Sequence, residues 1–252
     1  MIGLIRSGLD NNALSFLIKN EKYLSSRSFA IILYRAAIHG ALNVLKFILY
    51  SSDYRYEITN NALNWAIRYA SEYGHLEIIE MLFKDDRVIE IWSDCIFNAC
   101  RKGHTKIVRL MLQDKRINPT KSNNSAVMLT IKNNHLEIVR LLLADKRINP
   151  NFDQDILFRT ICTDGNSELV KLCLLDKRFN PSIMHNYSIR IACENGHLDV
   201  VKILLTDQRT DPTECLCYSL NMARKNKHNH VIDLLMEMEI VKIYLMHLEE
   251  SS

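Results

Sequence analysis

The sequence predicts an all-α solenoid of about eight stacked helix pairs, and two regular spacings along the chain support this fold class. All four prolines lie 31 residues apart, and each ends a similar six-residue segment: Pro119, Pro150, Pro181 and Pro212. Five of the seven glycines mark a second recurring position, just ahead of an apolar stretch: Gly40, Gly74, Gly103, Gly165 and Gly196. Turn residues that recur at a fixed period indicate a repeat architecture.

Each unit of the repeat contains two helix-like segments with the glycine position between them. The second segment is clearest in residues 136–143, where apolar residues recur three and four positions apart. The first segment ends four residues before the glycine position in a mostly small residue, such as Ala36 or Ala70, which lets neighbouring helices approach closely. A glycine suits a left-handed helix cap, and Asn134 and Lys227 fill the same position in two units.

A unit of two short helices, about 31 residues long, cannot bury its apolar stripe alone. Successive units must therefore stack and share one core. No Gly-, Ser- or Pro-rich stretch interrupts the period, so we expect a single repeat domain over residues 1–252. Its ends are expected to be degenerate caps, residues 1–27 and residues 213–252. Within the last unit, residues 230–250 have the pattern of one extended helix that covers the open end of the stack.

Composition excludes several classes of protein. The chain is 48% hydrophobic and 24% charged, which is typical of a soluble, folded protein, and its net charge of +3 is too small to indicate binding to nucleic acid or membranes. Residues 1–20 lack the apolar core of a secretory signal, and no apolar run approaches the roughly 18 residues that span a bilayer. Seven cysteines without disulfide-like spacing indicate a reducing compartment. We therefore expect a monomeric, cytoplasmic protein.

Residues 74–79, 103–108 and 196–201 resemble the Gly-His turn and second helix of the ankyrin repeat. The resemblance covers nearly the whole chain. It departs where the family's Thr-Pro-Leu-His becomes, for example, Trp-Ala-Ile-Arg at residues 65–68, and where Asp-Lys-Arg-Ile-Asn-Pro replaces the family's hairpin tip. The second departure argues against the usual β-hairpin fingers. The shortened repeat is similar to the ankyrin proteins that giant DNA viruses of amoebae encode in large numbers, which implies a host cell's cytoplasm.

The resemblance implies a non-enzymatic scaffold that binds a protein partner through its concave face and loop tips. Reasoning from the residues favours the same function. A solenoid offers an extended surface with few deep pockets, and the sequence contains no P-loop, nucleophile-elbow or zinc-protease motif. We expect no catalytic residue, no cofactor and no metal. The candidate partner-binding residues are aromatic or basic positions of the first helices: Tyr34, Trp65, Arg68, Phe97, Arg101, Lys132, Arg159, Arg190 and Arg224. Further aromatic candidates are Tyr69, Phe158 and Tyr187. A solvated helix face is the alternative for the basic positions.

A second column of arginines lies in the connections between units, each two residues after an aspartate: Arg87, Arg116, Arg147, Arg178 and Arg209. Two interpretations are open. The aspartates either neutralise these arginines within a structural loop network, or the column forms a basic ridge that binds nucleic acid or another polyanion. The near-neutral total charge favours the loop network.

Five histidines share the position after the glycine slot: His75, His104, His135, His197 and His228. Stacked helices lie about 8 to 10 Å apart, whereas zinc holds each nitrogen at about 2.0 to 2.1 Å, so this column favours a structural role over a metal site. Cys215 and Cys217, followed by His228 and His230, imitate a zinc site. The ten residues between the two pairs have the pattern of one helix, which would set the pairs roughly 15 Å apart and so disfavours a metal there. Cys100, Cys162 and Cys193 are interpreted as small buried side chains.

Overall fold

The recurring glycine position ends the first helix of each helix pair in a left-handed backbone conformation. The five glycines have φ between 74° and 85°, Asn134 has φ 55° and Lys227 has φ 61°. At Gly74 the cap is closed by two hydrogen bonds, since the N–H groups of Gly74 and His75 both donate to the carbonyl oxygen of Ala70 at 2.9 Å. The predicted left-handed caps are therefore confirmed. Lys227 bears the steric cost that a Cβ brings in this conformation.

The computed structural model describes residues 10–51, 58–88, 91–150, 156–210 and 216–238. These fall into two compact units, Met1–Ile148 and Asn149–Ser252. Within the described residues no β-strand is present, so turns replace the hairpin fingers at the connections. The all-α, ankyrin-like solenoid predicted from the sequence is confirmed.

The first unit contains nine described α-helices, α1 to α9: Asp10–Asn20, Ser26–His39, Leu42–Lys46, Asn60–Tyr73, Leu76–Phe83, Asp94–Lys102, Thr105–Gln113, Lys121–Lys132 and Leu136–Ala144. A 3₁₀ turn, Glu21–Tyr23, follows α1, and a π-helical turn, Phe47–Ser51, continues α3. The first helices of the pairs, α2, α4, α6 and α8, pack side by side as one layer, and α1, α3, α5, α7 and α9 form the second.

The second unit has the same arrangement in the described helices α10 to α15: Ile156–Asp164, Ser167–Leu174, Ile183–Glu194, Leu198–Thr206, Leu216–Lys225 and Asn229–Glu237. Here α10, α12 and α14 form the first-helix layer, and α11, α13 and α15 form the second-helix layer. Near its start, α12 contains three residues in left-handed conformation, Met184, His185 and Asn186.

The C-terminal helix is shorter than the sequence predicts. The extended helix expected over residues 230–250 begins at Asn229 and ends at Glu237, because Met238 adopts an extended conformation. The prediction of one continuous helix is therefore wrong at residue 238. The remainder of the expected capping helix lies outside the described residues.

One position of the first helices is buried throughout and is mostly occupied by alanine. The position four residues before the glycine slot is completely buried in all seven pairs: Ala36, Ala70, Ala99, Thr130, Ile161, Ala192 and Ala223. Cys100, Cys162 and Cys193 are also completely buried, as predicted. Among the described residues, no helix combines the length and apolar character that crossing a membrane requires.

The histidine column joins successive pairs. His104 Nε2 lies 3.0 Å from the carbonyl oxygen of Glu72 in the preceding pair, and the ring covers Gly74, where an added Cβ would lie only 2.7 Å from Cε1. The four other histidines of the column make the same contacts, with Nε2 2.8 to 3.2 Å from a carbonyl oxygen. The glycine slot therefore meets two demands, because it caps one helix and admits the histidine ring of the next pair. Within the described ranges, no group of three His, Cys, Asp or Glu side chains is arranged to hold a metal.

Candidate functional site

The arginines of the connecting loops form hydrogen bonds within the loop, and Arg116 shows how such an arginine also bonds to the preceding pair. The Arg116 backbone N–H donates to Asp114 Oδ1 at 2.9 Å, and its Nη2 donates to Asp114 Oδ2 at 2.6 Å. Two further bonds reach the preceding pair, from Nη1 to the carbonyl oxygen of Val88 at 2.6 Å and from Nη2 to that of Phe83 at 2.9 Å. A single guanidinium thus closes its own turn and holds the neighbouring one.

The same aspartate–arginine ion pair, at 2.6 Å, recurs in the other four described loops, at Arg87, Arg147, Arg178 and Arg209. In each loop, hydrogen bonding from the arginine is the main cause that holds the pKa of the aspartate below its usual value. These contacts are those of a structural loop network, and the paired carboxylates neutralise the column's charge. A docking role for this column remains a prediction.

The first-helix layer of the first unit carries an aromatic cluster formed by Tyr34, Trp65, Tyr69 and Trp92. Trp65 stacks on Tyr69 with 5.7 Å between ring centroids, and it meets Trp92 edge-on at 5.6 Å. Tyr69 in turn lies 6.3 Å from Tyr34 of the preceding pair. The Arg68 guanidinium lies over the Trp65 ring at 4.9 Å. All five side chains are partly exposed, so the cluster presents aromatic surface to solvent.

One buried polar side chain, Asn64, holds the backbone of one member of this cluster. Asn64 is completely buried, and its Oδ1 accepts a hydrogen bond from the Trp92 backbone N–H at 3.1 Å. Burial, together with the nearby Tyr69, raises the pKa of Tyr34. Trp92 was not among the residues singled out in the sequence, because it precedes α6 in a connection rather than lying in a helix.

The next two pairs contribute the remaining candidates of the first unit. Phe97 and Arg101 are partly exposed on α6, and Arg101 Nη2 forms an ion pair with Glu72 Oε1 on α4 at 2.8 Å. Lys132 is exposed at the end of α8. These residues occupy the same layer as the aromatic cluster.

The second unit carries an arginine–tyrosine ladder on its first-helix layer. Arg159 of α10 lies over the ring of Tyr187 of α12 at 4.6 Å, and Arg190 of α12 lies over the ring of Tyr218 of α14 at 4.4 Å. The Nε atoms of both arginines are buried and have no hydrogen-bond partner in the described part of the chain. Arg224 is exposed on α14, and its Nη2 lies 3.8 Å from Met236 Sδ.

One aromatic candidate is a core residue. Phe158 is completely buried and packs 5.7 Å from Phe179, so the hypothesis that it anchors a partner is wrong. It directly precedes Arg159 in the sequence, and a helix turns neighbouring side chains by about 100°, which places one inside and the other at the surface.

The second-helix layer of the first unit contains an open groove of about 760 Å³. It lies between the ends of α5 and α7 and is lined by Glu80, Phe83, Lys84, Leu110, Gln113, Asp114, Lys115 and Arg116. Its charges are mixed, and its floor includes the Arg116 guanidinium, which lies 5.6 Å from the Phe83 ring centroid.

Comparison with known families identifies the repeat. A model described as ankyrin repeats, in three copies, matches residues 69–156. No curated protein matches the sequence significantly. Ankyrin repeats generally mediate protein–protein interaction and are typically not enzymes.

Proposed function

We propose that this chain is a non-enzymatic scaffold that binds a protein partner through its first-helix layers, with the aromatic cluster of the first unit as the main anchor. The observation that carries the proposal is the group of four partly exposed rings at Tyr34, Trp65, Tyr69 and Trp92, held by contacts within and between pairs. The ankyrin repeats at residues 69–156 include part of this surface.

The cluster has the properties of a binding hot spot. Tryptophan and tyrosine bury large areas at low cost in side-chain entropy, and they dominate the binding energy of protein interfaces. Here the rings already pack on one another and beneath the Arg68 guanidinium, and Asn64 holds the Trp92 backbone. Pre-organised side chains lose less entropy when a partner binds. Ile31, 42% exposed, lies nine residues before Gly40, as Trp65 does before Gly74, and so extends the apolar surface along the layer.

The alternative of polyanion binding along the loop arginines receives less support. Their guanidinium groups already donate to aspartate carboxylates and to backbone carbonyl oxygens. A phosphate would have to compete with those partners, and each new contact would break a turn. We therefore place protein binding ahead of nucleic-acid binding.

We also propose a reducing compartment, the cytoplasm, as the site of action. Burial raises the pKa of Cys95, Cys100 and Cys162 to about 12, which keeps these thiols protonated and unreactive. A host cytoplasm follows if the resemblance to viral ankyrin proteins reflects the origin of the chain.

The proposal is tested by site-specific photo-crosslinking. A photoreactive phenylalanine analogue replaces Tyr69 in one variant of the chain, and Lys202, exposed on α13 of the second unit, in a matched control variant. We expect the first variant to crosslink a protein in cell extract that excess unlabelled wild-type chain displaces. The captured protein is then purified and its affinity for the wild-type chain measured by calorimetry.

A second pair of variants separates the anchor from general stickiness. Trp65→Ser should weaken binding of the purified partner at least tenfold, because one interface tryptophan contributes about 2 kcal/mol or more. Tyr73→Ser changes an aromatic residue on the same helix that is 53% exposed and lies outside the cluster, so its affinity should stay near wild type. Equal losses in both variants, or no displaceable crosslink at position 69, would refute the proposed anchor.

A further inference from the structure

Two arginines of the second unit differ from every loop arginine in how their charge is balanced. The loop arginines are ion-paired at 2.6 Å, whereas Arg159 and Arg190 have neither a carboxylate nor a hydrogen-bond acceptor for their side chains among the described residues. Each instead lies against a tyrosine ring of the next pair. A cation on an aromatic face is held by the ring's quadrupole but keeps its positive charge.

The contact with tyrosine also orients each guanidinium. The ring covers one face of the planar group, and the Nε atom is buried between the helices. The terminal Nη groups are not among the buried unpartnered atoms, so they reach solvent and can donate. A planar, partly desolvated guanidinium with open Nη donors is suited to bidentate recognition of a carboxylate.

The surrounding charges alternate along this layer. Arg159, Arg190, Arg224 and Lys225 are the basic residues of α10, α12 and α14, and Asp164 and Glu194 end α10 and α12. Glu194 accepts a hydrogen bond from the Tyr218 hydroxyl at 3.4 Å and does not pair with Arg190. A polymer with continuous negative charge would meet these carboxylates, whereas separate carboxylates placed one repeat apart would meet only the arginines.

We propose that the arginine–tyrosine ladder binds an acidic, extended segment of a protein partner whose carboxylates recur every third residue. Neighbouring helices in a layer lie about 8 to 10 Å apart. A polyproline II segment rises about 3.1 Å per residue with three residues per turn, so side chains three apart share one face at about 9 Å. This inference rests on the proposed function, because it assigns the chemistry of the partner to the second unit of the same scaffold.

The test uses the full chain and synthetic peptides of equal length. The probe is a fluorescein-labelled peptide with the sequence Glu-Pro-Pro repeated four times. The first control peptide has glutamine in place of each glutamate. The second keeps the composition but places the glutamates in adjacent pairs, which destroys the three-residue spacing. Binding is measured by fluorescence anisotropy at low ionic strength, where contacts between exposed charges are strongest.

The protein variants separate the ladder from the field of the whole molecule. The double variant R159Q/R190Q should bind the probe about tenfold more weakly, whereas K171Q/K202Q makes the same change in charge on exposed residues of the second-helix layer and should stay within about twofold. Tyr187→Leu keeps both charges but removes one stacking contact, so it should fall between them. Circular dichroism spectra that match the wild type verify that each variant is folded.

Several outcomes would overturn the inference. They are the absence of probe binding by the wild-type chain, equal weakening in the two double variants, equal affinity for the spaced and paired glutamate peptides, and tighter binding of an oligothymidylate of the same length. A chain that still captures a partner at position 69 but ignores the acidic peptide refutes the ladder and leaves the proposed function standing. A chain that binds the peptide but captures nothing at position 69 supports the ladder and refutes the proposed anchor.

Discussion

The contact between a glycine and the histidine of the next pair makes a quantitative prediction at Gly74. A Cβ there would lie 2.7 Å from His104 Cε1, and the backbone has φ 85°. Placing an L-residue in the left-handed region costs about 1–2 kcal/mol, and displacing a packed ring costs about 1–3 kcal/mol. Gly74→Ala should therefore lower the free energy of unfolding by about 2–5 kcal/mol.

Removing the ring should rescue part of this loss. His104→Ala alone loses the Nε2 bond to the Glu72 carbonyl oxygen at 3.0 Å, which is worth about 1 kcal/mol, together with the packing of the ring. In the double variant the Cβ added at position 74 occupies space that the ring has vacated. Of the cost of Gly74→Ala, only the backbone strain then remains. The double variant should consequently be more stable than the sum of the single losses predicts, by about 1–3 kcal/mol.

The assay is urea denaturation followed by circular dichroism for the wild type, both single variants and the double variant. His135→Ala is the matched control, because His135 covers Gly103 rather than Gly74. Its loss should add to that of Gly74→Ala within about 0.5 kcal/mol. Additive losses for Gly74→Ala and His104→Ala would refute the claim that ring and glycine share one space.

Three further predictions concern separate features of the chain. Lys227→Gly should raise the free energy of unfolding by about 1 kcal/mol, measured by urea denaturation, because it relieves a left-handed residue at φ 61°; an unchanged or lower value would contradict this. Arg147 lowers the pKa of Asp145 in the folded chain, so its stabilisation is complete above the unfolded pKa of about 3.9 and is lost as pH falls through the lower folded value. The stability difference between the wild type and Asp145→Asn should therefore be constant from about pH 7 to pH 5 and shrink below about pH 4, and a difference independent of pH would refute it. With Cys215 and Cys217 replaced by serine, the remaining buried thiols should react with a disulfide reagent only after urea is added, and rapid reaction of the native chain would show that they are accessible.

The features that the sequence predicted correctly are those with local causes. A left-handed cap depends on the residue at the slot, and the loop arginine bonds to an aspartate two residues away, so both follow from a short stretch of chain. The buried small residue of the first helix follows from the same periodicity. The C-terminal helix was overestimated because the apolar spacing includes Met238, although the backbone of Met238 is extended. Spacing alone does not determine where a helix ends.

The contacts of the candidate sites, in contrast, join successive helix pairs within one compact unit. Phe158 and Arg159 are neighbours in the sequence, yet the first packs in the core and the second faces a ring of the following pair. Trp92 belongs to the aromatic cluster because the side chain of Asn64, 28 residues earlier, holds its backbone. Asn64 and Trp92 are 28 residues apart, so no short stretch of the sequence contains both.

The two arginine columns show how a solenoid sequence can be searched for such contacts. A loop arginine has its carboxylate two residues before it, and the resulting ion pair neutralises it regardless of the rest of the stack. A ladder arginine has its tyrosine 28 residues after it, at Tyr187 for Arg159 and at Tyr218 for Arg190, and this partner orients the charge without neutralising it. Charged residues whose counter-ion is local therefore belong to the scaffold. The ladder arginines, whose aromatic partner lies about one repeat away, keep the charge that the proposed acidic segment would meet.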